Sequence, residues 1–195
     1  MSLEKIQEKI LKIAIEIVKD GKGALFIIGD NLKYEKMYEQ KLSPFGIFDR
    51  GAEKVLKGLA VIDGAVIIDK KGNVKDYGVM IKKTGAVIGY GTRHAAALTG
   101  SMNNNISILC SEEERKVKIF KNKKFVMQID ALQKDIEKNV PKISTLLESL
   151  GAGFVGTIGA VTLAPTLGIA LIPGVLIFGG SYFAIKKIIK RFWSS

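Results

Sequence analysis

The sequence predicts an α/β protein with a mixed, twisted β-sheet flanked by helices on both faces, followed by a C-terminal hydrophobic helical hairpin. Three observations support this fold class. Short apolar runs typical of strands alternate with amphipathic, helix-like segments over residues 1–131. No internal repeat divides this region. Residues 149–185 then form an uncharged tract of 37 residues, well over the roughly 18 that mark a membrane span.

Composition and charge narrow the function classes. The formal net charge of +11 indicates an acidic partner, such as a nucleotide, a nucleic acid or an anionic membrane face, although it also fits plain surface solubility. The lysines are spread along the chain and do not form a run with interleaved aromatic residues, so we expect no nucleic-acid partner. The three predicted parts are an α/β domain over 1–131, a linker helix over 132–150 and an apolar hairpin with a basic C-terminus over 151–195.

The numbers of cysteine and histidine residues exclude an internal disulfide and a Cys/His zinc cluster. A single cysteine, Cys110, cannot form an internal disulfide and fits a reducing cytosol. With one cysteine and one histidine the chain cannot build a Cys/His zinc cluster. Cys110 ends an apolar run, which predicts a small buried side chain and not a nucleophile.

The first elements follow from hydrophobic spacing. Isoleucines recur every three or four residues over 3–18, which predicts an amphipathic helix. Residues 24–28 are wholly apolar and lie between glycines, as in a strand buried on both faces. A helical turn over 32–39, a short strand over 45–48 and a helix capped by Asp49 and running to residue 56 are expected next.

One carboxylate interrupts the apolar run over residues 59–69. Asp63 and Gly64 stand where a strand pattern would otherwise continue. An isolated buried carboxylate is costly and is normally paired, bound to a metal or protonated, so Asp63 is a candidate functional group. Asp-Gly is equally a strong turn signal between two strands. A hairpin turn over 70–73 then joins this run to a strand over 74–81.

A glycine turn followed by two cationic side chains begins the next helix. Gly91 permits close backbone approach, and Thr92 can cap a helix whose first amides point toward an anion. Arg93 and His94 add donors suited to phosphoryl oxygens. An ordinary capped helix with solvent-facing charges is the alternative. We expect a strand over 85–90 before this turn and a helix end near Gly100.

An acidic loop closes the following hairpin. Strands over 106–110 and 116–120 are joined by a loop beginning with Ser111, Glu112 and Glu113. Such a loop is either a solvated turn or a divalent-cation site. An edge strand over 125–129 is expected after it.

The C-terminal tract is too long for one membrane-spanning helix. Its 37 residues would extend about 55 Å as a helix, beyond a hydrocarbon core of about 30 Å. Pro165 and Pro173 divide it, which predicts two short apolar helices. Lysines precede it, and lysines and an arginine follow it, so the positive-inside tendency places both ends on the cytoplasmic face, with membrane contact through 151–185. A buried hairpin in a soluble oligomer is the alternative.

Taken together, three motifs resemble the diadenylate cyclase (DAC) family, which makes cyclic di-AMP. The likeness covers roughly residues 24–129 and indicates an archaeal-like member with a C-terminal apolar hairpin. The motifs, in order, are Asp63-Gly64-Ala65, Gly91-Thr92-Arg93-His94 and Ser111-Glu112-Glu113.

The resemblance implies a role for each motif. Asp63 would hold a divalent metal, Mg²⁺ or Mn²⁺, and activate a ribose 3′-hydroxyl, with Glu113 or Glu112 as a second metal ligand. The ATP-binding positions would be Gly64, Ala65, Gly91, Thr92, Arg93, His94 and Ser111. Family members commonly have Arg-His-Arg where this chain has Arg93-His94-Ala95, so one phosphate contact would be missing or supplied by Lys82 or Lys83.

The resemblance also implies an enzyme, a nucleotidyltransferase that condenses two ATP into cyclic di-AMP with release of pyrophosphate. We expect it to act as a face-to-face homodimer at the cell membrane, with the catalytic domain on the cytoplasmic side. A catalytically weak, membrane-tethered regulatory module is the alternative that Ala95 favours. A third possibility is a membrane-remodelling or pore-forming hairpin with the α/β domain as its sensor.

Overall fold

The computed structural model describes residues 1–39, 43–82, 92–149 and 172–177. Within these ranges the chain forms one sheet. Its strands, numbered in chain order, are β1 (Ala24–Ile28), β2 (Tyr34–Lys36), β3 (Phe45–Gly46), β4 (Ala65–Ile68), β5 (Asn73–Ile81), β6 (Ile106–Ser111), β7 (Lys116–Lys121), β8 (Lys124–Asp130) and β9 (Val175–Ile177).

The sheet is mixed, as predicted. Its order is β2-β5-β4-β1-β6-β7-β8-β9, and β3 also pairs with β5. β1 and β4 run parallel, whereas the other paired strands are antiparallel. The central strand β1 is buried along its whole length, because it has a neighbour on each edge and helices over each face.

Helices cover both faces of the sheet, which confirms the predicted layer arrangement. They are α1 (Leu3–Lys19), α2 (Ala52–Ala60), α3 (Thr92–Gly100), a short 3₁₀ helix (Ile136–Asn139) and α4 (Val140–Ser149). The core on one face includes side chains from α1, α2 and α4, such as Ile10, Leu56 and Ile143. The core on the other face includes Ala97 of α3 with Leu25 of β1. The apolar positions of each strand alternate between these two cores.

Two predictions between β1 and β4 are wrong. The helical turn over 32–39 is instead an extended segment in which Tyr34 pairs with Ile81 across β2 and β5. Asp49 does not cap α2, because its carboxylate accepts a hydrogen bond from the Gly46 amide at 2.7 Å and stays within the turn. The residue before the helix is Gly51, whose φ of 83° suits glycine.

The run over 59–69 is also divided differently from the prediction. Residues 59 and 60 complete α2, and the strand begins at Ala65. Asp63 and Gly64 therefore connect a helix to a strand and not a strand to a strand. The predicted hairpin turn over 70–73 is confirmed, because β4 and β5 pair antiparallel across it.

The C-terminal third departs furthest from the sequence prediction. Val175–Ile177 form β9, which pairs with Met127–Ile129 of β8, so the predicted helix is wrong for these residues and β8 is not an edge strand. In the described ranges no helix combines the length and apolar character that a bilayer crossing requires. The rest of the predicted hairpin, 151–171 and 178–195, lies outside the described residues.

Candidate functional site

The strand directions bring three predicted motifs to one edge of the sheet. β1 and β4 are parallel, and β6 is antiparallel to β1, with Ala24 opposite Cys110. The starts of β1 and β4 therefore lie beside the end of β6. Asp63 precedes β4, and Ser111 ends β6. Helix α3 begins above this edge, so its first turn completes the site.

An apolar cleft of about 220 Å³ opens at this edge. Its floor consists of strand residues from β1, β4 and β5, and one wall is the first turn and a half of α3. The lining residues are Leu25, Met37, Asp63, Gly64, Ala65, Val79, Met80, Ile81, Thr92, Arg93 and Ala96. A small concave surface with an apolar floor and a few polar groups at its rim suits a flat, partly apolar ligand.

Gly64 sets the shape of the apolar cleft. Its φ is 102°, and a Cβ built on it would lie 2.7 Å from the Val79 backbone nitrogen. The backbone of β5 therefore packs directly against this position, and a larger residue would have to push the strand away. The Asp-Gly pair is thus a tight connection, and it is also part of the cleft.

A second, polar cleft of about 420 Å³ adjoins the first. Both clefts share Asp63, Thr92 and Arg93, so these residues stand where the two meet. The remaining lining residues are His94, Leu109, Cys110, Ser111, Glu112 and Glu113. An apolar pocket joined to a pocket with cationic and acidic side chains matches the division of a nucleotide into base and phosphates.

Asp63 and Arg93 face one another across the junction. The Arg93 Nη2 atom is 3.9 Å from the Asp63 Oδ1 atom, and the side chains are 40% and 70% exposed. A pair this open contributes little to folding. Both groups therefore remain available to a ligand.

Gly23, which precedes β1, allows Arg93 to reach this position. A Cβ built on Gly23 would lie 2.3 Å from Arg93 Nη1 and 3.2 Å from a carboxylate oxygen of Glu112. The guanidinium thus lies directly over the glycine backbone. Any side chain at residue 23 would displace it.

A buried lysine on the sheet contacts the His94 ring. The Lys118 ammonium on β7 lies 3.1 Å from His94 Nε2 and also donates to the Glu114 carboxylate. Only 6% of the Lys118 side chain is exposed. Lysine is seldom buried unless it is paired, and these two partners supply the pairing.

Cys110 lines the polar cleft without being chemically available. It is buried, and its Sγ donates a weak hydrogen bond to the Ala14 carbonyl oxygen at 3.6 Å. Burial raises the pKa of its thiol well above the usual range, and the charge of Arg93 offsets only part of that increase. The thiolate, which is the nucleophilic form, is therefore suppressed, as the sequence predicted.

The acidic residues fit a metal that the substrate helps to bind. Among the described residues no group of three or more His, Cys, Asp or Glu side chains could hold an ion by itself. Asp63 lines the same cleft as Glu112 and Glu113. Mg²⁺ is commonly bound by one or two carboxylates together with water and substrate phosphates, so this donor set fits a divalent cation that arrives with a nucleotide.

Most of the site residues predicted from the sequence thus come together. Gly64 and Ala65 line the apolar cleft, Thr92 and Arg93 line both clefts, and His94 and Ser111 line the polar one. Gly91 and Lys83 lie outside the described residues. Lys82 does not line either cleft and instead pairs with Glu35 at 2.7 Å.

Sequence reasoning missed the apolar side chains of the site and its buried lysine. Met37, Val79, Met80 and Ile81 line the apolar cleft, but the sequence pattern predicts a helix at Met37 and an ordinary strand at the other three. Lys118 alternates with apolar residues along β7, which is the pattern of a solvent-facing side chain. No signal in the sequence distinguishes it from the exposed lysines.

Comparisons with known proteins show which family the chain resembles. The family model described as "DisA bacterial checkpoint controller nucleotide-binding" matches residues 13–125. A diadenylate cyclase from Methanocaldococcus jannaschii is 35% identical over 138 residues, which cover 63% of this chain and 45% of that protein. A diadenylate cyclase from Haloferax volcanii is 32% identical over 143 residues, covering 62% of this chain and 51% of that protein.

These alignments cover only part of each protein, since the chain spans about half the length of the curated relatives it matches. Among solved structures, the crystal structure of a double mutant of DacA from Staphylococcus aureus is 18% identical, with a TM-score of 0.49. That match covers 77% of this chain and 97% of the other.

Proposed function

We propose a function from one established premise: this chain belongs to the DAC family, the family of the nucleotide-binding domain of the DisA bacterial checkpoint controller. The proposed activity is that of a diadenylate cyclase, a nucleotidyltransferase that joins two ATP molecules into cyclic di-AMP and releases two pyrophosphates. The observation that carries this proposal is the meeting of an apolar and a polar cleft at Asp63, Thr92 and Arg93.

In this proposal one ATP occupies both clefts. The adenine lies on the apolar floor formed by residues such as Leu25, Ala65 and Val79. The triphosphate extends past Thr92 into the polar cleft, where Arg93 and His94 provide donors and the α3 N-terminus provides a favourable dipole. Ser111 closes the far side.

The reaction consists of two identical transfers. The 3′-hydroxyl of one ATP attacks the α-phosphorus of the other, the Asp63 carboxylate accepts the hydroxyl proton, and the bond from phosphorus to the pyrophosphate oxygen breaks. Arg93 offsets the charge on the departing pyrophosphate, and His94 donates a hydrogen bond to it. The second transfer, with the roles of the nucleotides exchanged, closes the ring.

The acidic residues give the proposed site its place for a metal. Asp63, with Glu113 or Glu112, would hold Mg²⁺ or Mn²⁺ beside the phosphates. When bound, such an ion supplies Lewis-acid polarisation of the phosphoryl oxygens. The role proposed here for the protein residues is to hold the nucleotide and to remove the hydroxyl proton.

This chemistry requires two copies of the site. One junction of clefts holds one ATP, while in-line attack requires the hydroxyl of one nucleotide to face the α-phosphate of another. We therefore propose a face-to-face homodimer as the active form. Sedimentation velocity with and without a non-hydrolysable ATP analogue tests this, and a protein that stays monomeric at saturating analogue and still forms product would contradict it.

The decisive experiment incubates the full chain with ATP and either Mg²⁺ or Mn²⁺ and follows cyclic di-AMP by mass spectrometry. We expect cyclic di-AMP and pyrophosphate in a one-to-two ratio. ATP binding in calorimetry without product would instead support the second candidate, a regulatory nucleotide-binding module. Ala95 favours that candidate because it is buried on α3 and adds no cation to the clefts.

We further propose that the parts of the uncharged tract on either side of β9, residues 151–171 and 178–185, attach the protein to the cytoplasmic face of the cell membrane. The support is the absence of charge in this tract and the basic residues on both sides of it. Flotation of the full chain with liposomes, compared with a chain ending at residue 150, tests the attachment. Equal flotation of the two chains would overturn it.

A further inference from the structure

Lys118 is a buried charged side chain that the proposed reaction does not use. It is buried on β7 and belongs to the face of the sheet that α3 covers, because it lies opposite Leu109, a member of the α3-side core. It lines neither cleft. Its two bonded partners belong to elements that line the polar cleft.

The contact with His94 fixes which ring nitrogen carries the proton. An ammonium group has donors and no acceptor. At 3.1 Å from Lys118 Nζ, the Nε2 atom must therefore accept the hydrogen bond and carries no proton. The ring is then neutral, and its proton is on Nδ1. Free histidine is not held to this arrangement, so the protein imposes it.

The contact with Glu114 gives Lys118 a second effect. Glu114 belongs to the loop between β6 and β7, whose earlier residues Glu112 and Glu113 line the polar cleft. Lys118 thus joins the first turn of α3, which forms one wall, to the acidic loop, which forms the other. Because its side chain is almost wholly buried, the ammonium has little freedom to exchange these partners for water.

We propose that Lys118 is a positioning residue that holds His94 in the Nδ1-protonated, neutral form and so makes it a hydrogen-bond donor to a nucleotide phosphate. The ligand in this inference rests on the proposed function, whereas the state of the imidazole does not. Arg93, Asp63, Glu112 and Glu113 line the same cleft as His94. In this arrangement Arg93 supplies the permanent positive charge, and His94 supplies a hydrogen bond whose direction the ring orientation fixes.

The first part of the test reads the imidazole directly in the nucleotide-free protein. The chain has one histidine, so ¹⁵N-detected NMR of the full chain gives one pair of ring-nitrogen signals. We expect wild type to show a protonated Nδ1 and an unprotonated Nε2. Lys118→Met, which keeps an unbranched side chain one atom shorter and removes the charge, should shift the ring toward the Nε2-protonated form, and Lys118→Arg should keep the wild-type pattern. An unchanged ring in Lys118→Met overturns the inference.

The second part measures affinity for a non-hydrolysable ATP analogue. Lys118→Met should weaken binding about tenfold, as expected for one hydrogen bond to a charged group. His94→Ala should weaken it similarly, and the double variant should lose no more than either alone. Losses that multiply would show that Lys118 acts on the ligand independently of His94, which overturns the positioning role. Lys116→Met, on the same strand, is the matched control and should bind normally.

The two parts separate this inference from the proposed function. A wild-type protein that binds the analogue and shows the expected imidazole, but forms no cyclic di-AMP, overturns the cyclase and leaves the role of Lys118 standing. Thermal melting of each variant verifies folding. Since Glu114 is about half exposed, removing its partner leaves a solvated carboxylate, and Lys118→Met should fold.

Discussion

The two clefts lie side by side but are built in different ways. The apolar cleft has a floor of strand residues, and a backbone contact at Gly64 fixes its depth. The polar cleft is made by side chains at the ends of elements, namely Arg93, His94 and the acidic loop after Ser111. The first is therefore as rigid as the sheet. The second depends on a few ion pairs and hydrogen bonds, and a single substitution can change it without changing the fold.

Removing the carboxylate at the junction should have the largest effect. Asp63→Asn should lower cyclic di-AMP synthesis by about 10³-fold, because a general base typically contributes that much. The side chain is 70% exposed, so we expect the melting temperature to stay the same. Product formation and thermal melting on one preparation measure both. If synthesis stays within a few-fold of wild type, Asp63 is not the base.

Substitution at Gly64 should break the apolar cleft while leaving the polar side chains in place. Gly64→Ala places a Cβ 2.7 Å from backbone and forces a positive φ on alanine, which should cost about 1–3 kcal/mol of unfolding free energy. The affinity for adenosine should also fall in this variant. Denaturant unfolding and calorimetry provide the measurements.

Gly58→Ala is the matched control for that variant. Gly58 lies in α2, and a Cβ there would meet nothing within 4 Å. This substitution should instead stabilise the protein by about 0.5–1 kcal/mol. Similar losses of unfolding free energy and adenosine affinity in the two variants would mean that the close packing at Gly64 is unimportant.

Substitution at Gly23 should displace Arg93 at the junction of the two clefts and leave the floor of the apolar cleft unchanged. Gly23→Ala would place a Cβ 2.3 Å from Arg93 Nη1, and the flexible arginine side chain should move aside without unfolding the protein. ATP-analogue affinity should fall about tenfold, while adenosine affinity should change little. In an Arg93→Ala background, Gly23→Ala should have no further effect. A further loss in that background would show that Gly23 contributes by some other route.

The smallest effect on activity is expected at Asp69, which lies outside both clefts. Burial alone would raise the pKa of this carboxyl, but hydrogen bonds donated by Asn73 and Lys71, together with the charge of Lys75, lower it overall. A lowered folded-state pKa adds stability above the unfolded value of about 3.9, and this stability is lost as pH falls through the folded value.

Asp69→Asn tests this by removing the titrating group. We expect its unfolding free energy to depend less on pH than that of wild type below about pH 4. Its cyclase activity at neutral pH should equal that of wild type. Denaturant unfolding between pH 2.5 and 6 is the measurement, and an unchanged acid profile would contradict the assignment.

The sequence was most informative where a local pattern and its environment agree. The isoleucine spacing predicted α1, because a helix buried along one side carries apolar residues every three or four positions. The apolar run between glycines predicted β1, because a strand buried on both faces is apolar throughout. The β6–β7 hairpin was predicted from its apolar strands, and the helix starting at Thr92 from the glycine turn and capping threonine before it. Most of the candidate site residues lie next to these elements, so they could be identified as well.

The errors occurred where the partner of a segment is distant in sequence. β2 is a strand because β5 offers it an edge, and β9 is a strand because β8 does. Their own residues did not predict either pairing. Asp49 looked like a helix cap, yet it bonds within its own turn.

The amino-acid sequence by itself determined the central strands, the helix on either side of them, and the acidic and cationic groups from which a nucleotide site could be made. Only the tertiary structure decided that Asp63 stands at the junction of two clefts, that Gly23 makes room for Arg93, and that Lys118 faces His94 and not solvent. The physical reason is that periodicity records which side of an element is buried. It does not record which residue on another element will be the neighbour.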